Sequence, residues 1–361
     1  MFVGSSGHYQ RWWAGCRRLD GQQTGPGPEA YYRGVTDPRP FPAYADLPSF
    51  LHLPWVSDIA GITAAAPDIA VVGAPFDMAV THRPGARFGP RAIRGASYLT
   101  QWSLHHLGLR IEPMTVLKAI DAGDAFCVPS DIERSHEAIR EKLRDLYSAA
   151  SGVIPIVLGG DHSITYPAAG TVADHYDRRV GIVHFDAHAD AADASWGQHL
   201  SHGTPMRRLI EAGHVAGRNF VQVGLRGYWP PPDVMEWMRD QGMRSHTAYE
   251  IEERGFDVVL AEAIEQALDN CDSLYLSVDI DVLDPAFAPG TGTPEPGGLD
   301  SRELLRAVRK IACALPVVGV DIVEVSPPYD PSGITAEVAF RVGLEAISGI
   351  AFRRSGAAQG R

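Results

Sequence analysis

Residues 179–190 read RVGIVHFDAHAD, an apolar run that ends in Asp186, His188 and Asp190 on alternate positions. A short apolar run without polar alternation is the form of a strand covered on both faces, as parallel sheets require. The form recurs in DIAVVGAP (68–75), VIPIVLGG (153–160), SLYLSVDID (273–281) and PVVGVDIVEVS (316–326). Between these runs lie amphipathic stretches. IERSHEAIREKLRDLYSAAS (132–151) puts Ile139, Leu143, Leu146 and Ala150 on one face, with Ser130 and Glu133 spaced as a capping box and Gly152 beyond its end, which predicts a helix. VVLAEAIEQALDN (258–270) and RELLRAVRKIACAL (302–315) continue the alternation, and Asp300 with Glu303 marks a second helix start. Strand and helix in series predict an α/β fold with a mostly parallel sheet and helices on both faces. Functional groups in such sheets collect at the carboxyl ends of the strands, where loops vary over a rigid support.

Composition narrows the function classes. The chain has 361 residues, 45% hydrophobic and 21% charged, which is globular and large enough for a substantial core. Asp and Glu number 44 against 32 Lys and Arg, a formal charge of −12, so neither nucleic acid nor an anionic membrane is an expected partner. The four cysteines, Cys16, Cys127, Cys271 and Cys313, are scattered, which argues against a disulfide framework and a thiolate zinc site and fits a reducing cytoplasm. The opening MFVGSSGHYQRWW has no basic start followed by an apolar stretch, and no eighteen apolar residues run together, so a cytoplasmic protein is expected. Residues 1–66, rich in Gly and Pro, read as an irregular extension. Its aromatics, Trp12, Trp13, Tyr31, Tyr32, Phe41, Tyr44, Phe50 and Trp55, are expected to pack on the body or a neighbouring subunit. The body spans 67–352, and 353–361 reads as a frayed tail.

Four strand ends carry the chemistry. GGDHS (159–163) presents His162 after a glycine turn; DAHAD supplies Asp186, His188 and Asp190; DIDVLDP supplies Asp279 and Asp281; DIVEVSP supplies Glu324. Residues i and i+2 of an extended segment share a face, so Asp186 with His188, and Asp279 with Asp281, point into common space. So many carboxylates repel one another unless cations neutralise them. Two imidazoles with carboxylates suit one or two first-row divalent ions, Mn first and Ni also, better than Mg or Ca. Taken singly, each residue also has an ordinary reading as a helix cap, a turn residue or a bonded core histidine. Asp284, before Pro285, and Asp321, within a strand end, read as structural; His184 reads either as a partner of a ligand or as core packing; His105 and His106 read as filler.

GGDHS, FDAHAD, SVDIDVLDPAFAPGTGTPEPGG (277–298) and DIVEVSPPYD (321–330), in this order, resemble the ureohydrolases: arginase, agmatinase, guanidinobutyrase and relatives. The resemblance implies an arginase-like three-layer α/β/α fold, two Mn2+ per subunit, and a homo-trimer or homo-hexamer. It carries over one metal to His162, Asp186, Asp190 and Asp279 and the other to Asp186, His188, Asp279 and Asp281, with Asp186 and Asp279 bridging. The implied chemistry is hydrolysis of a terminal guanidino group to urea and an amine, with Glu324 pairing the guanidinium, Asp190 moving a proton and His202, in SHGTP, as a mobile proton shuttle. A one-zinc deacetylase of the same fold and a non-catalytic, metal-stabilised regulatory protein are the competing readings. THRPGARFGPRAIRGAS (81–97) also resembles the family's loop, or is simply a Gly/Pro turn before a helix; His82 and Arg83 stay unassigned.

The segment ASWGQHLSHGTPMRRL (194–209) lacks acids but carries His199, Ser201, Arg207 and Arg208. A distal substrate carboxylate suits it, which favours a guanidino acid such as 4-guanidinobutyrate over agmatine, whose ammonium has only Trp196 and Asp193 nearby, and over free guanidine. Alternatively Arg207 and Arg208 begin a solvated helix.

Overall fold

The computed structural model describes residues 48–97 and 104–356. Eight strands form one sheet: β1 (Ile69–Ala74), β2 (Ala119–Asp124), β3 (Ile154–Gly159), β4 (Val180–Phe185), β5 (Phe220–Leu225), β6 (Arg244–Thr247), β7 (Ser273–Asp279) and β8 (Val317–Val323). Their order is β2-β1-β3-β8-β7-β4-β5-β6, with every neighbouring pair parallel. Sequence reading finds β1, β3, β4, β7 and β8 but not β2, β5 and β6. Asp121, Gly123 and Asp124 in β2, Gln222 in β5, and Arg244 and His246 in β6 interrupt the apolar run on which that reading depends.

Alternation along the strands sorts the interior into two layers. Ile69, Val71, Ile156, Leu158, Val183, Leu276 and Ile322 pack with the helices Phe256–Ala267, Ser301–Ala314 and Ile334–Arg354. Their neighbours Ala70, Val72, Val157, Ile182, Tyr275 and Val323 pack with Ile132–Ala149, Thr165–His175 and Pro205–Glu211 on the opposite face. The result is the expected three-layer α/β/α sandwich. Among the described residues no helix is long and apolar enough to cross a membrane.

Helix starts follow cap chemistry. Asp300 accepts the Glu303 N–H at 2.6 Å and Glu303 accepts the Asp300 N–H at 3.0 Å, the capping box read from sequence. The helix Ile132–Ala149 begins one residue later than the Ser130–Glu133 spacing suggests. Asp131 caps it by accepting the Arg134 N–H at 3.0 Å, while Ser130 turns away at φ +68°.

The segment read as an irregular extension is more ordered where it is described. Ile59–Ala65 is helical, and Phe50 and Leu51 lie fully in the core, with Phe50 4.9 Å from the Phe340 ring centroid. The other aromatics named up to Tyr44, and Cys16, lie outside the described residues. At the far end the last helix runs to Arg354, past the expected start of the tail; 357–361 are also outside the described residues.

A buried carboxylate ties this entry segment to the sheet. Asp121 Oδ2 accepts from Phe50 N and Arg94 Nε, both at 2.8 Å, while Oδ1 accepts from Arg94 Nη2 at 2.9 Å and Gly123 N at 3.0 Å. Removing one partner of such a pair leaves the other charge uncompensated in the interior. Arg94→Leu is therefore expected to cost about 3–5 kcal/mol in chemical denaturation, and the double variant Arg94→Met/Asp121→Leu less than Arg94→Leu alone.

Candidate metal centre

The order of the sheet makes β3, β8, β7 and β4 consecutive. Segments far apart in sequence, 159–162, 324, 279–281 and 186–190, therefore leave the sheet side by side, with strands about 4.8 Å apart. Sequence numbering runs out of order here, the arrangement that opens a crevice at the carboxyl edge. The turn after β3 depends on Gly160: an added Cβ would lie 2.2 Å from the Phe76 carbonyl oxygen and 2.6 Å from that of Ala74. Asp161 then accepts from Ala79 N at 2.9 Å and Ser163 N at 3.0 Å, which delivers His162 into the crevice.

His162 is fully buried. Its Nδ1 lies 3.2 Å from Asp186 Oδ2 and 3.0 Å from both Asp190 Oδ2 and Asp279 Oδ2. None of the three has hydrogen-bond geometry, so Nδ1 is without a partner. The other ring nitrogen explains this. Ser277 donates its hydroxyl proton to Asp321 Oδ1 at 2.7 Å, so its oxygen accepts from His162 Nε2–H at 3.0 Å. Burial works against a charged ring, but Asp186, Asp190 and Asp279 raise His162 well above its usual value; in the neutral ring Nδ1 presents a lone pair to three carboxylates, an arrangement that fits a cation. Asp186 also belongs to a second group: His188 Nδ1 lies 3.5 Å from Asp186 Oδ1 and 3.1 Å from Asp281 Oδ2. His162, Asp186, Asp190 and Asp279 thus form one set of possible ligands, and Asp186, His188 and Asp281 another. The resemblance expects Asp279 in both sets; here it stands with the first.

The electrostatics match. Burial, with the charges of Asp281 and Asp186, pushes Asp279 well above the carboxylate range. Burial also raises Asp281, against the opposing effect of His188 and with that of Asp186. Asp186 goes the other way: burial works against its charge, but His184, His162 and His188 hold it well below the ordinary range. Carboxylates driven apart in this way mark a site where they cannot all ionise without cations. Two of the residues read as functional sit in left-handed backbone, Asp190 at φ +48° and Glu324 at φ +61°. Such strain costs about 1–3 kcal/mol each and gathers at functional sites. Glu324 is pinned by its own N–H to the Gly160 carbonyl at 2.9 Å.

Glu324 and His202 meet beside the carboxylates. Glu324 Oε1 accepts from His162 N at 2.9 Å and faces His202 Nδ1 at 3.0 Å. The Thr81 N–H donates to His202 Nε2 at 3.1 Å, which leaves the ring proton on Nδ1, directed at Glu324. Glu324 Oε2 is buried and has no partner.

The remaining residues sort as follows. Asp284 holds a turn by accepting from Ala286 N and Gly297 N, and Asp321 supports Ser277 and Tyr275, the structural roles expected of them. His106 pairs with Glu345 at 3.1 Å. Arg207 and Arg208 are spent on acids that flank their segment: Arg207 Nε lies 2.8 Å from Glu211, and Arg208 Nη2 lies 3.1 Å from Asp193 and 3.0 Å from Glu211. They begin the helix Pro205–Glu211 and do not stand free for a substrate carboxylate, and Asp193 is no free acceptor for an ammonium. His199 and Trp196 are exposed, and Ser201 is buried with its hydroxyl directed at the Ala79 carbonyl.

Sequence reading missed Thr81, Ser277, Gln222 and Arg226. Ser277 had a signal, a polar residue two positions before Asp279 on the same strand face of an otherwise apolar run. Arg226 had none: buried and without a carboxylate ion pair among the described residues, it donates to the carbonyls of Gly224, Asp281, Val282, Leu283, Glu295 and Pro296 and so clamps the loop after β7.

Comparison with known proteins agrees with this geometry. A family model described as Arginase family matches residues 67–349. The proclavaminate amidinohydrolase of Streptomyces clavuligerus is 40% identical over 306 residues, 84% of this chain and 93% of that protein. A solved structure of a proclavaminate amidino hydrolase from that organism aligns with a TM-score of 0.78 at 38% identity, covering 87% of this chain and 100% of the other. Guanidinopropionase of Pseudomonas aeruginosa is 40% identical over 84% of this chain and 91% of its own length. Mitochondrial agmatinase of Gallus gallus is 40% identical over 80% and 81%.

If the two groups hold ions through a shared carboxylate, Asp186→Ala is expected to lose both, because it opens both ligand sets. Elemental analysis after loading with Mn2+ checks this; a variant that keeps two ions per chain refutes the shared role.

Proposed function

From the premise that this chain belongs to the arginase family, we propose that it is an amidinohydrolase that splits the terminal guanidino group of a small linear guanidino acid into urea and an amine. The observation that carries the reading is the buried, partnerless Oε2 of Glu324 beside a cluster built for cations. A carboxylate oxygen kept from water and from every protein donor is prepared for a ligand donor, and the planar N–H fork of a guanidinium suits it. Oε1 is already held by His162 N–H and His202, so the carboxylate cannot rotate away and the guanidinium is oriented on binding.

The residues that would hold the ions are His162, Asp186, His188, Asp190, Asp279 and Asp281. Their nitrogen and carboxylate donors suit Mn2+, and Ni2+ as well. When bound, a pair of such ions supplies Lewis acidity and makes water nucleophilic at neutral pH. Around them the chain handles protons. Asp190, held in strained backbone at the first group, offers a carboxylate to accept the proton that water gives up. Burial works against a charge on His202, but Glu324 raises it to about 9, so the ring can take a second proton, and the imidazolium beside the seat of the guanidinium can give one to the departing amine. Thr81 Oγ1, 2.8 Å from Nε2, holds the other side of the ring.

With Arg207 and Arg208 occupied, the acid end of the substrate needs another cation. Arg83 supplies it. Its guanidinium lies 5.2 Å over the Tyr329 ring and has no carboxylate partner among the described residues. It stands at the rim: an added Cβ on Gly292 would lie 3.1 Å from the Arg83 carbonyl and 3.3 Å from Glu324 Oε2.

Urea release from 4-guanidinobutyrate, 3-guanidinopropionate, agmatine and guanidine, measured side by side at fixed metal, is expected to favour the acids; a higher kcat/KM for agmatine overturns the carboxylate reading. Glu324→Gln should lower kcat/KM by about 10²-fold, and His202→Ala should lower kcat by about 10²–10⁴-fold, both with metal content unchanged. Loss of metal in His202→Ala would make that residue a ligand instead. Arg83→Met should raise KM for the acid about 2- to 5-fold, the worth of one part-exposed charge contact, and leave KM for agmatine unchanged or lower.

A further inference from the structure

One row of the sheet, just below the ligands, is polar. The register sets Ser245 of β6 beside Gln222 of β5, Gln222 beside His184 of β4, His184 beside Ser277 of β7, and Ser277 beside Asp321 of β8. Gln222, His184, Ser277 and Asp321 are all fully buried, where unsatisfied polar groups are costly, so each must have partners. The half toward β8 supports His162. The half toward β6 has no role in the chemistry above.

The hydrogen bonds of that half have one solution. Gln222 Nε2 lies 2.6 Å from the Ala189 carbonyl, which can only accept, so the amide nitrogen is fixed there, and Gln222 Oε1 accepts from Ser245 Oγ at 3.2 Å. The same Nε2 lies 3.1 Å from His184 Nδ1 and gives it a proton to accept. Nδ1 is therefore a lone pair and the ring proton sits on Nε2, which donates to Asp186 Oδ2 at 2.8 Å. Asp186 Oδ1 is held by the His188 N–H at 2.6 Å. The carboxylate common to both groups is thus fixed at each oxygen. Through Ala189, Gln222 also grips the loop between His188 and Asp190.

We propose that Ser245, Gln222 and His184 form a positioning relay that sets the His184 tautomer, and that this tautomer holds Asp186 in the orientation from which it serves both ions. The proposal rests on the reading of these carboxylates as metal ligands. Without the Gln222 N–H, His184 is free to move its proton to Nδ1. Its Nε2 lone pair then faces Asp186 Oδ2 and drives the carboxylate off its place.

Three variants test it. His184→Phe keeps a ring and removes the donor; His184→Gln keeps an N–H within reach of Asp186; Gln222→Met keeps the length of the side chain and removes the N–H. Mn2+ affinity is read by chelator competition on the full chain, and the stability of the metal-free protein by denaturation. His184→Phe and Gln222→Met are expected to bind Mn2+ about 10- to 100-fold more weakly, and His184→Gln to recover most of the loss. Unchanged affinity in Gln222→Met overturns the relay, as does His184→Gln binding as weakly as His184→Phe. If His184→Phe does not fold, Gln222→Met decides alone. A wild-type chain that binds no divalent ion overturns the metal reading beneath the proposal, whereas two ions per wild-type chain with indifferent variants overturn the relay only.

Discussion

Mutual repulsion among buried carboxylates is the constraint to which the rest of the site responds. Asp186, Asp190, Asp279 and Asp281 gather around two imidazoles where little water reaches them. At separations near 4 Å each like-charged pair costs about 4 kcal/mol even at an effective dielectric of 20. Such a cluster is stable only with cations, with shared protons, or with a frame stiff enough to hold the carboxylates in place. The Nδ1 of His162 has no hydrogen-bond partner while Nε2 meets Ser277, an arrangement that suits a cation better than an internal hydrogen bond.

The frame is the centre of the sheet. Four adjacent parallel strands deliver the candidate ligands at one rim, and the next row of side chains back from that rim is polar across five strands. Apolar packing could not do this work. It places a side chain but does not choose which nitrogen of a histidine carries the proton, whereas a neighbour that only accepts, such as the Asp321 carboxylate or the Ala189 carbonyl, does choose. Arg226 extends the frame outward by binding six backbone carbonyls, holding the loop after β7 against residues 295 and 296 without a competing carboxylate.

In the proposed reaction, substrate capture and proton transfer would share one side chain. Glu324 uses Oε1 to hold His202 and the backbone of His162 and leaves Oε2 for a guest. One carboxylate would therefore couple the guest, through Oε2, to the histidine held by Oε1. The strained backbone at Glu324 and Asp190 is maintained by the surrounding bonds, a cost tolerated where position decides rate.

By itself the sequence determined the layered α/β fold and pointed to the strand ends that carry His162, Asp186, His188, Asp190, Asp279, Asp281 and Glu324, because these rest on a local pattern: apolar runs that end in ionisable residues, and i, i+2 spacing on a strand; His202 came only with the family motif. It did not determine β2, β5 and β6, where polar residues that serve the interior break the apolar run. It pointed to Arg207 and Arg208 for the substrate, since it could not reveal that Asp193 and Glu211 fold back upon them. Only the tertiary structure decided the order β3-β8-β7-β4, and with it the meeting of His162, Ser277 and Asp321, or of Asp186, His184 and Gln222. Which strands lie side by side, and which nitrogen of a buried histidine keeps its proton, are settled by neighbours tens to more than a hundred residues away, and a linear pattern does not carry that pairing.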